Sequence, residues 1–191
     1  ALNMAVNKQE IIKAYYGGNA EMLGFPMHPT WVGYYEPLSD MPESVKELFV
    51  HNPTKAKQLL AEAGYKGERV VLLVPSDITY LNAEALMAAQ TMRSIGMNVD
   101  MQTSDWATIG ARRAKKDAPD AGGWNMYVTV AGSFDADSPI TNAYLSAACG
   151  TALPGWPCDK QLDELRTAWL KETDRAKRRQ LLDRFHERAF E

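Results

Sequence analysis

Apolar residues recur along this chain with two different periods, and the alternation between them sets out an architecture. Ala56, Leu59, Leu60 and Ala63 follow the i, i+3, i+4, i+7 spacing of a half-buried helix. Asn52 precedes it as N-cap, Pro53 takes the first helical position and Gly64 closes the end. Val70 to Val74 is an unbroken apolar run, as expected of a strand covered on both faces. From Leu81 to Ile95 the small residues Ala85, Ala88 and Ala89 precede Met92, which predicts a helix ended by Gly96. Met97, Val99, Met101 and Thr103 then alternate with Asn98, Asp100 and Gln102, and this period of two predicts a second strand. Strand, helix, strand is a βαβ unit with parallel strands and a right-handed crossover.

The same patterns extend to both ends. Residues 1–16 read as one helix stopped by Gly17 and Gly18. Thr103 or Ser104 is placed as the cap of a helix carrying Trp106, Ile109 and Arg113, and 115–123 reads as a surface turn. Trp124, Met126, Val128 and Val130 alternate with Asn125, Tyr127 and Thr129, predicting a third strand. That strand runs into the small residues Ala131, Gly132 and Ser133, then Phe134, Asp135 and Asp137. Ser138 is the expected N-cap of a short helix from Pro139 to Ala147. Asp159 starts a further helix with Leu162, Leu165, Trp169 and Leu170 inward. Thr173 is expected to cap the last helix, with Leu181, Leu182, Phe185 and Ala189 inward and Asp174 four residues ahead of Arg178. No internal repeat or low-complexity segment interrupts this α/β order.

Composition narrows the function classes. The 191 residues are 46% hydrophobic and 24% charged, ordinary for a globular protein. A net charge of −3 gives no electrostatic reason to expect nucleic acid. The basic run from Arg175 to Arg188 is interleaved with acids, as on a solvated helix face. No apolar run approaches the 18 or so residues of a membrane span. No glycine fingerprint for phosphate or dinucleotide follows a strand, and no nucleophile elbow is present. His28, His51 and His186 stand far apart, no metal is expected, and the nine methionines sit at core-like positions as gap fillers. A binding module without a cofactor fits this inventory better than an enzyme.

Two places carry candidate chemistry. Asp135 lies beyond a strand end, where ligands of open α/β sheets bind, and Ser138 relieves it of capping duty. It is either a solvated loop acid or a carboxylate that holds a cation. Residues 19–50 combine Pro26, Pro29, Pro37 and Pro42 with Trp31, Tyr34 and Tyr35. Such long aromatic-rich loops are packed down or functional. Cys149 and Cys158 bracket a segment with Gly150, Pro154, Gly155 and Pro157, which suggests a local disulfide and an oxidising compartment.

Several phrases together resemble one family, the solute-binding proteins of ABC importers in the peptide/opine/nickel group. Ala1 to Ile12, ALNMAVNKQEII, resembles that family's R-A-L-x-x-A-I-D-R-E-x-I helix. Asn52 to Tyr65, NPTKAKQLLAEAGY, is similar to its D-P-E-K-A-K-x-L-L-A-E-A-G-Y and is the most specific match. Asn82 to Ile109 resembles the family's helix, strand and tryptophan-bearing helix, and Lys160 to Leu182 its paired C-terminal helices.

The resemblance implies a fold: the C-terminal lobe of a type II periplasmic-binding-protein fold, a mixed sheet flanked by helices. Residues 1–191 would then be a single ligand-binding lobe, a fragment of a longer two-lobe protein whose N-terminal lobe and signal peptide lie outside it. It implies an extracytoplasmic or periplasmic component that captures a peptide or peptide-like solute and delivers it to ABC permease subunits. An effector-sensing or regulatory domain on the same fold is the alternative.

In peptide-binding members an aspartate four residues before the loop's proline takes the ligand's α-ammonium, and Asp135 matches that position. The Gly-Trp pair that precedes it in those members is Ala131 and Gly132 here, and Asn125 stands where they have Asp. An opine, a modified amino acid or another small polar solute fits the altered loop almost as well as a peptide does. Phe134, Asp137, Tyr127, Thr129, Trp31 and Tyr34 complete the candidate contact set. The paired cysteines resemble a disulfide of dipeptide-binding relatives.

Overall fold

The computed structural model describes residues 1–22, 28–30 and 33–190. Its helices are α1 (Leu2–Ala5), α2 (Lys8–Tyr15), α3 (Glu43–Phe49), α4 (Pro53–Glu62), α5 (Thr79–Ser94), α6 (Trp106–Arg113), α7 (Lys160–Lys171) and α8 (Arg175–Phe190). Its strands are β1 (Arg69–Pro75), β2 (Asn98–Ser104) and β3 (Met126–Tyr127). These elements fall into two compact units, Ala1–Ala20 with Leu48–Val130 and Glu21–Glu47 with Ala131–Glu191.

The first unit is built on β1. The three described strands run parallel in the order β2–β1–β3, with Val70 opposite Val99 and Leu73 opposite both Gln102 and Tyr127. The apolar run of β1 is covered on both faces, as its sequence predicts. Leu72 and Val74 pack with Ala85, Ala89 and Met92 of α5, while Val71 and Leu73 pack with Ile109 of α6. Val71, Leu72 and Leu73 have no exposed surface, and full burial of each such side chain contributes about 1.5–3 kcal/mol. A second cluster joins Met4 and Ala5 to Ala56 and Ile95.

Local signals explain most boundaries, with some shifts. Asn52 caps α4 by accepting the Lys55 N–H at 2.9 Å, with Pro53 at the first position. The predicted first helix is instead two, because Val6 is extended and Asn7 restarts the helix by accepting the Glu10 N–H at 3.1 Å. Asp105, not Thr103 or Ser104, caps α6 by accepting the Thr108 N–H. Gly123 admits no other residue, since a Cβ there would lie 1.8 Å from the Asp117 carbonyl oxygen.

The third strand is much shorter than its alternation predicts. Only Met126 and Tyr127 pair with β1. Ahead of them Asn125 binds the strand through its backbone N–H to Val71 O and through its side-chain oxygen to the Val71 N–H, at 3.0 and 2.8 Å. This side-chain clasp breaks the pleat, so Trp124 packs beside Tyr127 on the α6 face rather than with Met126 and Val128 on the α5 face.

The second unit holds the α7–α8 helix pair. Leu165, Trp169, Leu182 and Phe185 are buried, whereas Leu170, expected to point inward, is 59% exposed. Asp159 caps α7, as predicted, and also meets Arg188 at 2.5 Å. The Arg188 guanidinium and the Leu162 N–H hold its carboxyl below the usual range. Asp174, not Thr173, caps α8 through the Lys177 N–H, so it serves the helix end in place of a pairing with Arg178.

Candidate functional site

The acidic segment after β3 folds as a short 3-10 turn, Ser133–Ala136. Its residues are too few and too polar to bury, so the turn is closed by its own groups. The Asp135 N–H donates to the Gly132 carbonyl at 3.0 Å, and the Gly132 N–H donates back to Asp135 Oδ2 at 2.8 Å. The expectation that Asp135 has no local duty is corrected here, since one carboxylate oxygen closes the turn. The side chain remains exposed and makes no ion pair among the described residues. Phe134 beside it is 80% exposed. Asp137 accepts from the Thr141 hydroxyl.

The helix expected from Pro139 to Ala147 does not form. The Ser138 N–H donates to Thr141 Oγ1 and the Thr141 N–H to Ser138 Oγ, at 3.1 and 3.2 Å, so the two hydroxyl residues lock a turn. The Asn142 N–H reaches the Ser138 carbonyl, a single helical bond. Propagation stops because Arg166 of α7 takes the next carbonyls: its Nε donates to Pro139 O at 2.7 Å and its Nη2 to Ile140 O at 2.5 Å. The buried Asn142 side chain then accepts the Tyr144 N–H and starts a new 3-10 turn, Ala143–Leu145.

Arg166 is the positioning residue that the sequence reading missed. A signal was present. Arg166 lies four residues after Leu162 and three before Trp169, so a charge stands on the apolar stripe of α7. Such a charge has to find partners, and here they are backbone carbonyls.

The other candidates are distributed unevenly. Phe134, Asp135 and Asp137 share one turn of the second unit. Tyr34, in the same unit, packs edge-on against Trp169 with ring centroids 5.4 Å apart. Tyr127 and Thr129 belong to the first unit. Tyr127 is half-buried there, edge-on to Trp124 at 5.0 Å and 5.7 Å from the Arg113 guanidinium. Trp31 lies outside the described residues.

Cys149 and Cys158 form a disulfide. Its neighbourhood is tied by an antiparallel bridge between Ala148 and Cys158 and by the Cys149 N–H to Pro157 O at 3.0 Å. Cys149 and Trp156 both have positive φ, 55° and 44°, a conformation that costs a non-glycine residue roughly 1–3 kcal/mol.

Each unit also contains a cavity. One of about 430 Å³ is lined in the first unit by residues including Glu10, Tyr15, His51, Met87 and Gln90. One of about 600 Å³ lies in the second against Tyr34, Trp169 and the start of α8. Among the described residues no group of three or more His, Cys, Asp or Glu could hold a metal ion. No helix among them is long and apolar enough to cross a membrane. The turn offers an exposed carboxylate with one oxygen not engaged by the turn, an aromatic ring beside it and loop backbone groups.

Comparison with known proteins points to one family. Residues 1–152 match the family model described as bacterial extracellular solute-binding proteins, family 5 Middle. The chain is 35% identical over 119 residues to the probable peptide ABC transporter periplasmic-binding protein y4tO of Sinorhizobium fredii, covering 62% of this chain and 22% of that protein. It is 32% identical over 189 residues to di/tripeptide-binding protein 1 of Pseudomonas aeruginosa, covering 95% of this chain and 32% of that one. The fold is that of DppA from Helicobacter pylori, solved in complex with the peptide STSA, at a TM-score of 0.74 and 21% identity over 99% of this chain and 35% of that chain. The chain thus spans about a third or less of the length of these relatives.

Proposed function

Since the chain belongs to family 5 of the bacterial extracellular solute-binding proteins, a family of binding proteins and not of enzymes, we propose that it is the C-terminal lobe of a periplasmic carrier. The carrier takes up a peptide or peptide-like polar solute between this lobe and a second one and hands it to the membrane subunits of an ABC importer. The similarity to a di/tripeptide-binding protein along 95% of the chain supports a peptide as solute. The observation that carries the reading is Asp135, an exposed carboxylate fixed in place by the Gly132 N–H and in no ion pair among the described residues.

On closure, that carboxylate pairs with the ligand's α-ammonium. Phe134 covers the pair from water, and Asp137 of the same segment is the further candidate contact. Truncating one partner of a desolvated charge pair costs about 2–5 kcal/mol, a loss of tens-fold or more in affinity. Asp135→Asn is the discriminating variant, because its amide oxygen can still accept the Gly132 N–H while the charge is gone. In the full-length protein we expect calorimetry to show a dipeptide binding tens-fold more weakly to Asp135→Asn, with the melting temperature unchanged. Equal affinity for the variant would remove Asp135 from the solute site. Native mass spectrometry of the protein as purified would identify the solute itself.

A further inference from the structure

The loop closed by Cys149 and Cys158 differs from the rest of the chain in backbone and in burial. Among the described residues, the non-glycine residues with positive φ are Cys149 and Trp156, and both lie in this loop. Left-handed backbone is costly for such residues and persists only where the surroundings enforce it. Core packing does not enforce it here, since no residue from Cys149 to Cys158 is buried. Both cysteines are themselves exposed. The loop is closed by the disulfide and by the Cys149 N–H, which donates to Pro157 O at 3.0 Å. The stems on either side are anchored without the disulfide. Ala147 is buried, its carbonyl accepts the Asp159 N–H at 3.1 Å, and Asp159 caps α7.

Disulfides that are exposed, or that hold a costly conformation, are the ones open to exchange with thiols. We propose that the Cys149–Cys158 bond is a site of reversible thiol–disulfide exchange, with a dithiol as the reacting partner. A thiolate of the dithiol attacks one cysteine sulfur, the bond between Cys149 and Cys158 breaks, and the other cysteine leaves as a thiolate that takes up a proton. The partner's second thiol then gives up its proton, attacks the mixed disulfide and releases the first cysteine. The protein gains two electrons and two protons, and the partner loses them as it closes its own disulfide. Reduction lets Cys149 and Trp156 leave the left-handed region, which favours the open loop. The bond from Asp159 to Ala147 O keeps the stems together, so the two thiols stay close and re-pair under a disulfide oxidant. The solute turn is mounted separately on Arg166, and the inference does not rest on the solute reading.

The test incubates the full-length protein with dithiothreitol in native buffer, traps free thiols with iodoacetamide and locates them by peptide mass spectrometry. Complete reduction of Cys149 and Cys158 is expected, at a rate proportional to dithiothreitol and flat in urea below the unfolding transition. Direct attack also predicts the same rate in Leu182→Ala, a change at a buried position of the same unit. Attack through unfolding predicts instead a rise of roughly tens-fold in that variant. Hydrogen exchange should rise across 149–157 of the reduced protein and stay unchanged in α7 and α8. Replacing the dithiol with oxidised glutathione should restore the original protection. If Leu182→Ala fails to fold, the urea series decides. No reduction in native buffer, a rate that climbs with urea or in a folded Leu182→Ala protein, or protection that oxidation does not restore would overturn the proposal.

Discussion

The sheet around β1 and the segment from Ala131 to Cys158 are held together by different forces. In the first, buried Val, Leu and Ala side chains from β1, α5 and α6 interlock, and the backbone bonds follow from a regular ladder. In the second the chain is mostly irregular, and side-chain groups secure it one bond at a time: Asp135 to Gly132, Ser138 to Thr141, Arg166 to two carbonyls, Cys149 to Cys158. Packing is distributed and tolerates no large void. Stitching is local, and each stitch can be removed separately. The segment that carries the candidate carboxylate is the stitched one.

That contrast can be broken from the packed side first. Leu72→Ala should cost about 2–5 kcal/mol in urea unfolding, because a fully buried strand residue between two helices leaves a cavity the sheet cannot close. A change below about 1 kcal/mol would mean that β1 is not the centre of the core. Replacing Cys149 and Cys158 together with Ser should cost about 3 kcal/mol or less, on the chain-entropy account of so short a loop. Hydrogen exchange should rise across 148–158 and stay unchanged in β1. Exchange rising equally in both places would erase the distinction drawn above.

The smallest expected effect is a pH dependence at His186, which is 3% exposed with Nδ1 2.9 Å from Glu36. Burial lowers its pKa below the ordinary 6.5. Glu36 and Asp183 oppose that shift and Arg179 adds to it. The native imidazole therefore stays neutral while the unfolded one takes up a proton, so stability falls as pH is lowered through 6.5 toward the native value. His186→Gln should flatten the fall in melting temperature between neutral and mildly acidic pH. An identical slope in the variant would show that the proton is bound equally in both states.

The same division explains what could be read in advance. The βαβ unit, α4 and the start of α7 were legible because burial imposes periods of 2 and 3.6 on the sequence, and Asn52, Asp159, Gly64 and Gly96 mark ends. Caps slipped by one or two residues, to Asp105 and Asp174, because neighbouring Ser, Thr and Asp all suit the role and three-dimensional fit chooses among them. The helix predicted after Ser138 failed because the competitor for its carbonyls, Arg166, is 27 residues from Pro139 in sequence. The third strand was overextended because alternation cannot reveal that the Asn125 amide would replace a ladder bond. The candidate turn itself was legible as to position, and the hydrogen bond that fixes Asp135 was not.

Arg166 grips main-chain oxygens, which every residue type possesses. A substitution at the exposed Phe134, which makes no bond of that clamp, can therefore change size and aromaticity without loosening it. A scaffold of this kind lets an exposed position be re-lettered while the mounting stays as it was.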